Sequence, residues 1–70
     1  MSRDFEVVAE LVREANLEIA CAIKNPSDRY MEARAHEAEY LMRRMAELFG
    51  YTIERRNAAD GSFAEYALKM

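Results

Sequence analysis

Apolar side chains recur along the first two-thirds of the chain in two stripes that mirror each other across Pro26. Phe5, Val8, Val12, Ala15, Ile19 and Ala22 are spaced 3, 4, 3, 4, 3, and Met31, Ala35, Ala38, Met42, Met45 and Phe49 are spaced 4, 3, 4, 3, 4. Such spacing keeps one face of a helix apolar. Paired in reverse order, from 22 with 31 to 5 with 49, the residue numbers add to 53 or 54. A near-constant sum is the register of two antiparallel helices, so the pattern predicts an αα-hairpin with a coiled-coil-like seam.

The first helix is predicted over about 3–24, with Ser2 as N-cap and Asp4 and Glu6 at the positive end of the helix dipole. Pro26 cannot continue it. Proline suits the first position of a new helix, which predicts a second helix over about 26–49 with Asn25 as N-cap and Gly50 as the residue that ends it. So short a connection makes the helices antiparallel neighbours.

After Gly50 the period changes. Residues 51–56 are β-rich and alternate, Asp60-Gly61 marks a turn, and Ala64, Tyr66, Leu68 and Met70 alternate again. The preferred reading is a β-hairpin over about 51–56 and 63–69, because a lone strand would leave its backbone groups unpaired. Its rival is a short third helix, since Ser62 and Glu65 have capping-box spacing and Phe63, Tyr66, Ala67 and Met70 have helical spacing. The fold class is therefore α+β, mainly α. Heptad geometry places Val7, Leu11, Leu41 and Leu48 on one flank of the helical hairpin and the more polar Ala9, Asn16, Ile23, Glu32, Glu39 and Ala46 on the other. The leucine flank is where the sheet is expected to dock, using Tyr51 and Ile53.

Helix 1 is apolar on a second side. Leu17, Ala20 and Cys21 point away from the seam, and Tyr30, Ala33 and Tyr40 of helix 2 extend that apolar back. A helix apolar on two sides needs a second surface to bury. These six residues are the expected partner interface, most simply in a two-fold homodimer with a four-helix-bundle-like core. A chain of 70 residues makes a single marginally stable domain, and a second subunit would help it. One cysteine and one histidine allow neither an intrachain disulfide nor a Cys/His zinc cluster, so no cofactor or metal is expected.

The remaining chemistry is sparse. Cys21 reads as a small buried hydrophobe despite Lys24 nearby. His36 reads as an exposed histidine between Glu32 and Glu39. Glu6, Glu10, Glu14 and Glu18 recur every four residues and read as a solvated row that could meet a basic partner. Arg43, Arg44, Arg55 and Arg56 could gather into a basic patch, although only one of Arg55 and Arg56 can face it. With a net charge of −3, nucleic-acid binding is disfavoured. No nucleophile–base arrangement or glycine-rich phosphate loop is present, which disfavours an enzyme. The acidic start and the lack of a long apolar run point to a cytoplasmic chain without a membrane contact. The expectation is a non-catalytic interaction module, either a homodimeric adaptor or an inhibitor or regulator that acts by occupying the surface of an unidentified protein partner. The alternatives are a nucleic-acid-associated regulator and an accessory subunit of a larger complex.

Overall fold

The computed structural model describes residues 3–69, so the expected cap at Ser2 and the last alternating position, Met70, lie outside the described residues. Two helices, α1 (Arg3–Lys24) and α2 (Arg29–Phe49), are followed by two strands, β1 (Thr52–Asn57) and β2 (Phe63–Lys69). The strands pair antiparallel from Thr52↔Lys69 to Arg56↔Glu65. The β-hairpin is thus formed and the third helix is not. Between Arg56 and Asn57 the register shifts by one residue, which leaves Ala64 as an extra residue in β2. In the turn, Gly61 takes φ +86° and the Asp60 carboxylate accepts from the Ser62 backbone N–H at 2.9 Å and its hydroxyl at 2.6 Å. Those two bonds hold the Asp60 carboxyl below its ordinary pKa.

The expected start of the second helix needs correction. α2 begins at Arg29 and its N-cap is Asp28, which accepts from the Tyr30 and Met31 amides at 3.0 and 3.2 Å. Asn25 instead ends α1: its backbone and side-chain N–H groups both donate to the Cys21 carbonyl, at 3.2 and 2.9 Å. A link of one residue cannot carry the chain across the roughly 8–10 Å between packed helix axes, so Asn25 to Asp28 form the connection. The other end of α2 is as expected. Gly50 takes φ +80°, its N–H donates to Glu47 O at 3.2 Å, and the Tyr51 N–H donates to Ala46 O at 2.8 Å. That pair of bonds is a Schellman motif.

The mirrored stripes form the seam. Val8, Val12, Ala15, Ala35 and Met42 are buried along it, joined by Ala46 and, from β2, Tyr66. At the open end of the hairpin, Phe5 meets Tyr51 edge to face at 5.7 Å between ring centres.

The sheet does not dock on the leucine flank. It lies on the flank that carries Asn16, Glu39 and Ala46. The reason is hydrogen bonding. The outer edge of β2 presents unpaired backbone groups, and Asn16 meets both at Tyr66: its Oδ1 accepts from Tyr66 N–H at 2.8 Å and its Nδ2 donates to Tyr66 O at 2.9 Å. An aliphatic flank offers an edge strand no such partner. Asn16→Asp keeps the acceptor and puts a carboxylate oxygen against the Tyr66 carbonyl. The variant should lose about 1–3 kcal/mol at neutral pH. The new carboxyl is better protonated in the folded state, where it can donate to the carbonyl, so its folded pKa is raised. Its deficit against the wild type should therefore shrink as pH falls through the carboxylate range near 4. Urea unfolding of both proteins at pH 7 and pH 4 checks this; an equal deficit at the two pH values would sink it.

Candidate interaction surface

The sheet covers one flank of the helix pair and leaves the other open. On the open flank Val7, Leu41 and Leu48 are 42%, 45% and 62% exposed. Beside them a groove of about 400 Å³ runs between α1 and α2, with Leu11, Ala38 and Leu41 along its floor and Tyr30 and Ala33 at its turn end. Its rim is charged: Glu14 and Glu18 from α1, Arg34 and Glu37 from α2. Glu18 and Arg34 bridge the two helices at 2.7 Å, and Arg34 lies over the Tyr30 ring at 5.7 Å from its centre. The Glu18 charge, with Tyr30 second, raises the Arg34 pKa, so the guanidinium stays charged. Toward the start of α1, Arg3, Glu6 and Glu10 line the surface beside Val7 and Leu11, so apolar and charged side chains alternate along the flank.

The covered flank has its own polar cluster. The Tyr66 hydroxyl donates to Glu39 Oε2 at 3.0 Å and accepts from Arg43 Nη2 at 2.7 Å. Arg43 also lies over the Tyr66 ring at 4.9 Å and pairs with Glu39 at 3.5 Å. The bond to Tyr66 raises the Arg43 pKa against the opposing effect of burial. Every member of this cluster has a partner, and its function is to clamp the hairpin to the helices.

The six residues expected to share an interface are all exposed, but they do not form one patch. At about 100° per residue, Leu17 projects from the side of α1 opposite the Val12–Ala15 seam, and Tyr40 from the side of α2 opposite Met42. They point away from each other, with exposures of 62% and 65%. Ala20 and Cys21 flank Leu17 on that outer side, while Tyr30 and Ala33 line the groove. The apolar back divides because the seam takes the inner faces of both helices. Cys21 is exposed and free, not buried, since its position falls outside the seam.

The charged candidates also separate. Glu10 pairs with Arg13 at 3.1 Å and Glu18 with Arg34, while Glu6 and Glu14 are exposed. Arg43 is held by Tyr66 and Glu39. Arg55 lies over the Phe63 ring at 5.2 Å, and Arg56 faces Glu65 at 3.9 Å. Among the described residues Arg44 has no ion-pair partner. The four arginines thus form no joint patch. His36 is exposed with Glu32 at 3.9 Å, whereas Glu39 turns to Tyr66 and Arg43. Among the described residues no group of three or more His, Cys, Asp or Glu side chains could hold a metal, and no helix is long and apolar enough to cross a membrane.

Sequence reasoning missed Asn16, Glu39 and Tyr66 as the docking cluster. The signal was a mid-helix asparagine on a flank that a two-stranded sheet had to choose. No protein family, curated protein or solved structure matches the chain. Its class is defined by the fold alone: a helical hairpin with a β-hairpin on one flank.

Proposed function

We propose that this chain is a small non-catalytic protein–protein interaction module, an adaptor or a regulator that occupies a partner protein's surface. Its contact, with a second copy of the chain or with a different protein, is made through the open flank of the helix pair. The observation that carries this is the grouping of Val7, Leu11, Leu41 and Leu48 beside an apolar groove on the one broad helical face the sheet leaves uncovered. Exposed apolar side chains scattered singly need no explanation, whereas Val7, Leu41 and Leu48 exposed together beside the half-buried Leu11 do. The nucleic-acid alternative has less support, because Arg43, Arg55 and Arg56 are engaged within the chain.

Leu41→Asp tests the proposal. Leu41 is half exposed, so the variant should keep its helical circular dichroism. Immobilised wild-type and variant chains are compared for what they retain from a lysate of the source cells. Partners held by the wild type should be lost from the variant. An identical retained set on both would remove the open flank as the contact surface.

A further inference from the structure

The covered flank is filled by the chain itself, so what fills the open one can be asked of its area, its apolar side chains and its charges. The accessible surface is 5306 Å². A compact monomer of 8.1 kDa is expected to expose about 4,500 Å². The excess, roughly 800 Å², is one partner's share of a standard interface. It is also about the size of the face available, since two helices of 22 and 21 residues side by side span roughly 33 by 20 Å.

The occupant must complement a face on which Val7, Leu11, Leu41 and Leu48 are interspersed with charged side chains. A second copy of the same chain does so in only one of the two ways a two-fold axis can bring such faces together. If the axis runs perpendicular to the helices, α1 lies antiparallel on the second copy's α1, and α2 on its α2. With full overlap, Arg34 then meets Arg44, Glu10 meets Glu18, Glu14 meets its own copy, and Leu41 meets Glu37. Like charges stack and leucine faces carboxylate. If the axis runs parallel to the helices, α1 lies on the second copy's α2 in the same antiparallel register as the intrachain seam. Leu11 then meets Leu41, Val7 meets Leu48 and Glu18 meets Arg34, while at the outer edge of the flank Glu10, which pairs with Arg13 within its own chain, comes beside the unpaired Arg44. Glu14 beside Glu37 is the one unfavourable pair.

We infer that the open flank is occupied by a second copy of this chain, related by a two-fold axis parallel to the helices. The product is an up-down four-helix bundle with a β-hairpin on each outer face. The inference rests on the open flank being the contact surface proposed above and names its occupant. Each hairpin reinforces the assembly from outside, because Tyr66 and Asn16 hold the helix pair at the spacing the second pair must match.

The full-length chain, its Leu41→Asp variant, and the Glu10→Arg and Arg44→Glu variants are weighed in solution by sedimentation equilibrium. The wild type should have twice the 8.1 kDa chain mass. Leu41→Asp should weaken the dimer at least ~100-fold, a buried carboxylate against leucine being strongly unfavourable. Glu10→Arg and Arg44→Glu should each weaken self-association by about tenfold, since each puts like charges at two symmetric contacts. Mixed together, those two variants should associate with each other as tightly as the wild type does with itself. A wild type that stays monomeric at about 0.1 mM, where even weak self-association is populated, overturns the second copy as occupant and leaves the open flank to a different protein. A dimer untouched by Leu41→Asp overturns both, because the interface then lies elsewhere. A dimer that Leu41→Asp breaks but that the charge-swapped mixture does not restore overturns the parallel axis. Retained helical circular dichroism in all three variants separates dissociation from unfolding.

Discussion

Tyr66→Ala should be the most damaging single change in the chain, costing about 3–5 kcal/mol. Tyr66 is 5% exposed and, among the described residues, is the only strand residue in the buried core. Its ring packs against Phe63 at 5.0 Å between centres and lies under Arg43, and its hydroxyl ties Glu39 and Arg43 together. Alanine would leave a cavity between the sheet and the helices and would strip Glu39 and Arg43 of their shared partner. The whole domain has only about 4–10 kcal/mol to lose at this length. The hairpin should therefore detach, and the helices should unfold at much lower urea. Tyr66→Phe separates the two contributions. It keeps the ring and removes the hydroxyl, for about 1–2 kcal/mol, because Glu39 and Arg43 still have each other. Urea unfolding followed by circular dichroism measures both. If alanine cost no more than phenylalanine, the ring would not be the anchor claimed here.

Met42→Ala should follow, at about 2–5 kcal/mol. Met42 and Val8 are the largest side chains with no exposure, and Met42 sits at the centre of the seam. The helices are held by the hairpin at one flank and by the turn at one end, so they cannot close over the gap. Met45, half-buried one turn further along, should cost clearly less when replaced by alanine. Met42→Leu should stay within about 1.5 kcal/mol, because volume is nearly conserved. The comparison is made at equal chain concentration, since self-association would add stability by mass action. A Met45→Ala loss equal to that of Met42→Ala would mean that the seam centre is misplaced.

Much of the fold could be read from the residues. Val8, Val12, Ala15, Ala35 and Met42 are buried because spacing of three and four puts them on one face. Gly50 ends α2 because only glycine takes a left-handed φ without strain. The hairpin follows from alternation on both sides of Asp60-Gly61. Asn25-Pro26 and Asp28 are both good helix starts locally, and the distance between packed helices decides for Asp28. The candidate surface depends on which sides of the two helices the packing leaves open. Tyr30 and Ala33 do line the open groove, but Leu17 and Tyr40 point outward in opposite directions. The leucine flank is legible as apolar in the sequence, but its occupant is not, because the sheet lies on the flank that carries Asn16.

That last difference marks the boundary between what sequence and tertiary structure each determined. The sequence alone determined the elements, their order, the antiparallel seam and its register, because these depend on periodicity and on residues whose backbone preferences act locally. Only the tertiary structure decided which flank the β-hairpin covers. Hydrophobicity ranked the leucine flank first. A strand edge, however, carries paired donors and acceptors that an aliphatic surface cannot satisfy, and Asn16 can. The hydrogen-bonding requirement of one backbone residue, Tyr66, thereby left Val7, Leu41 and Leu48 on the outside, where a partner can reach them.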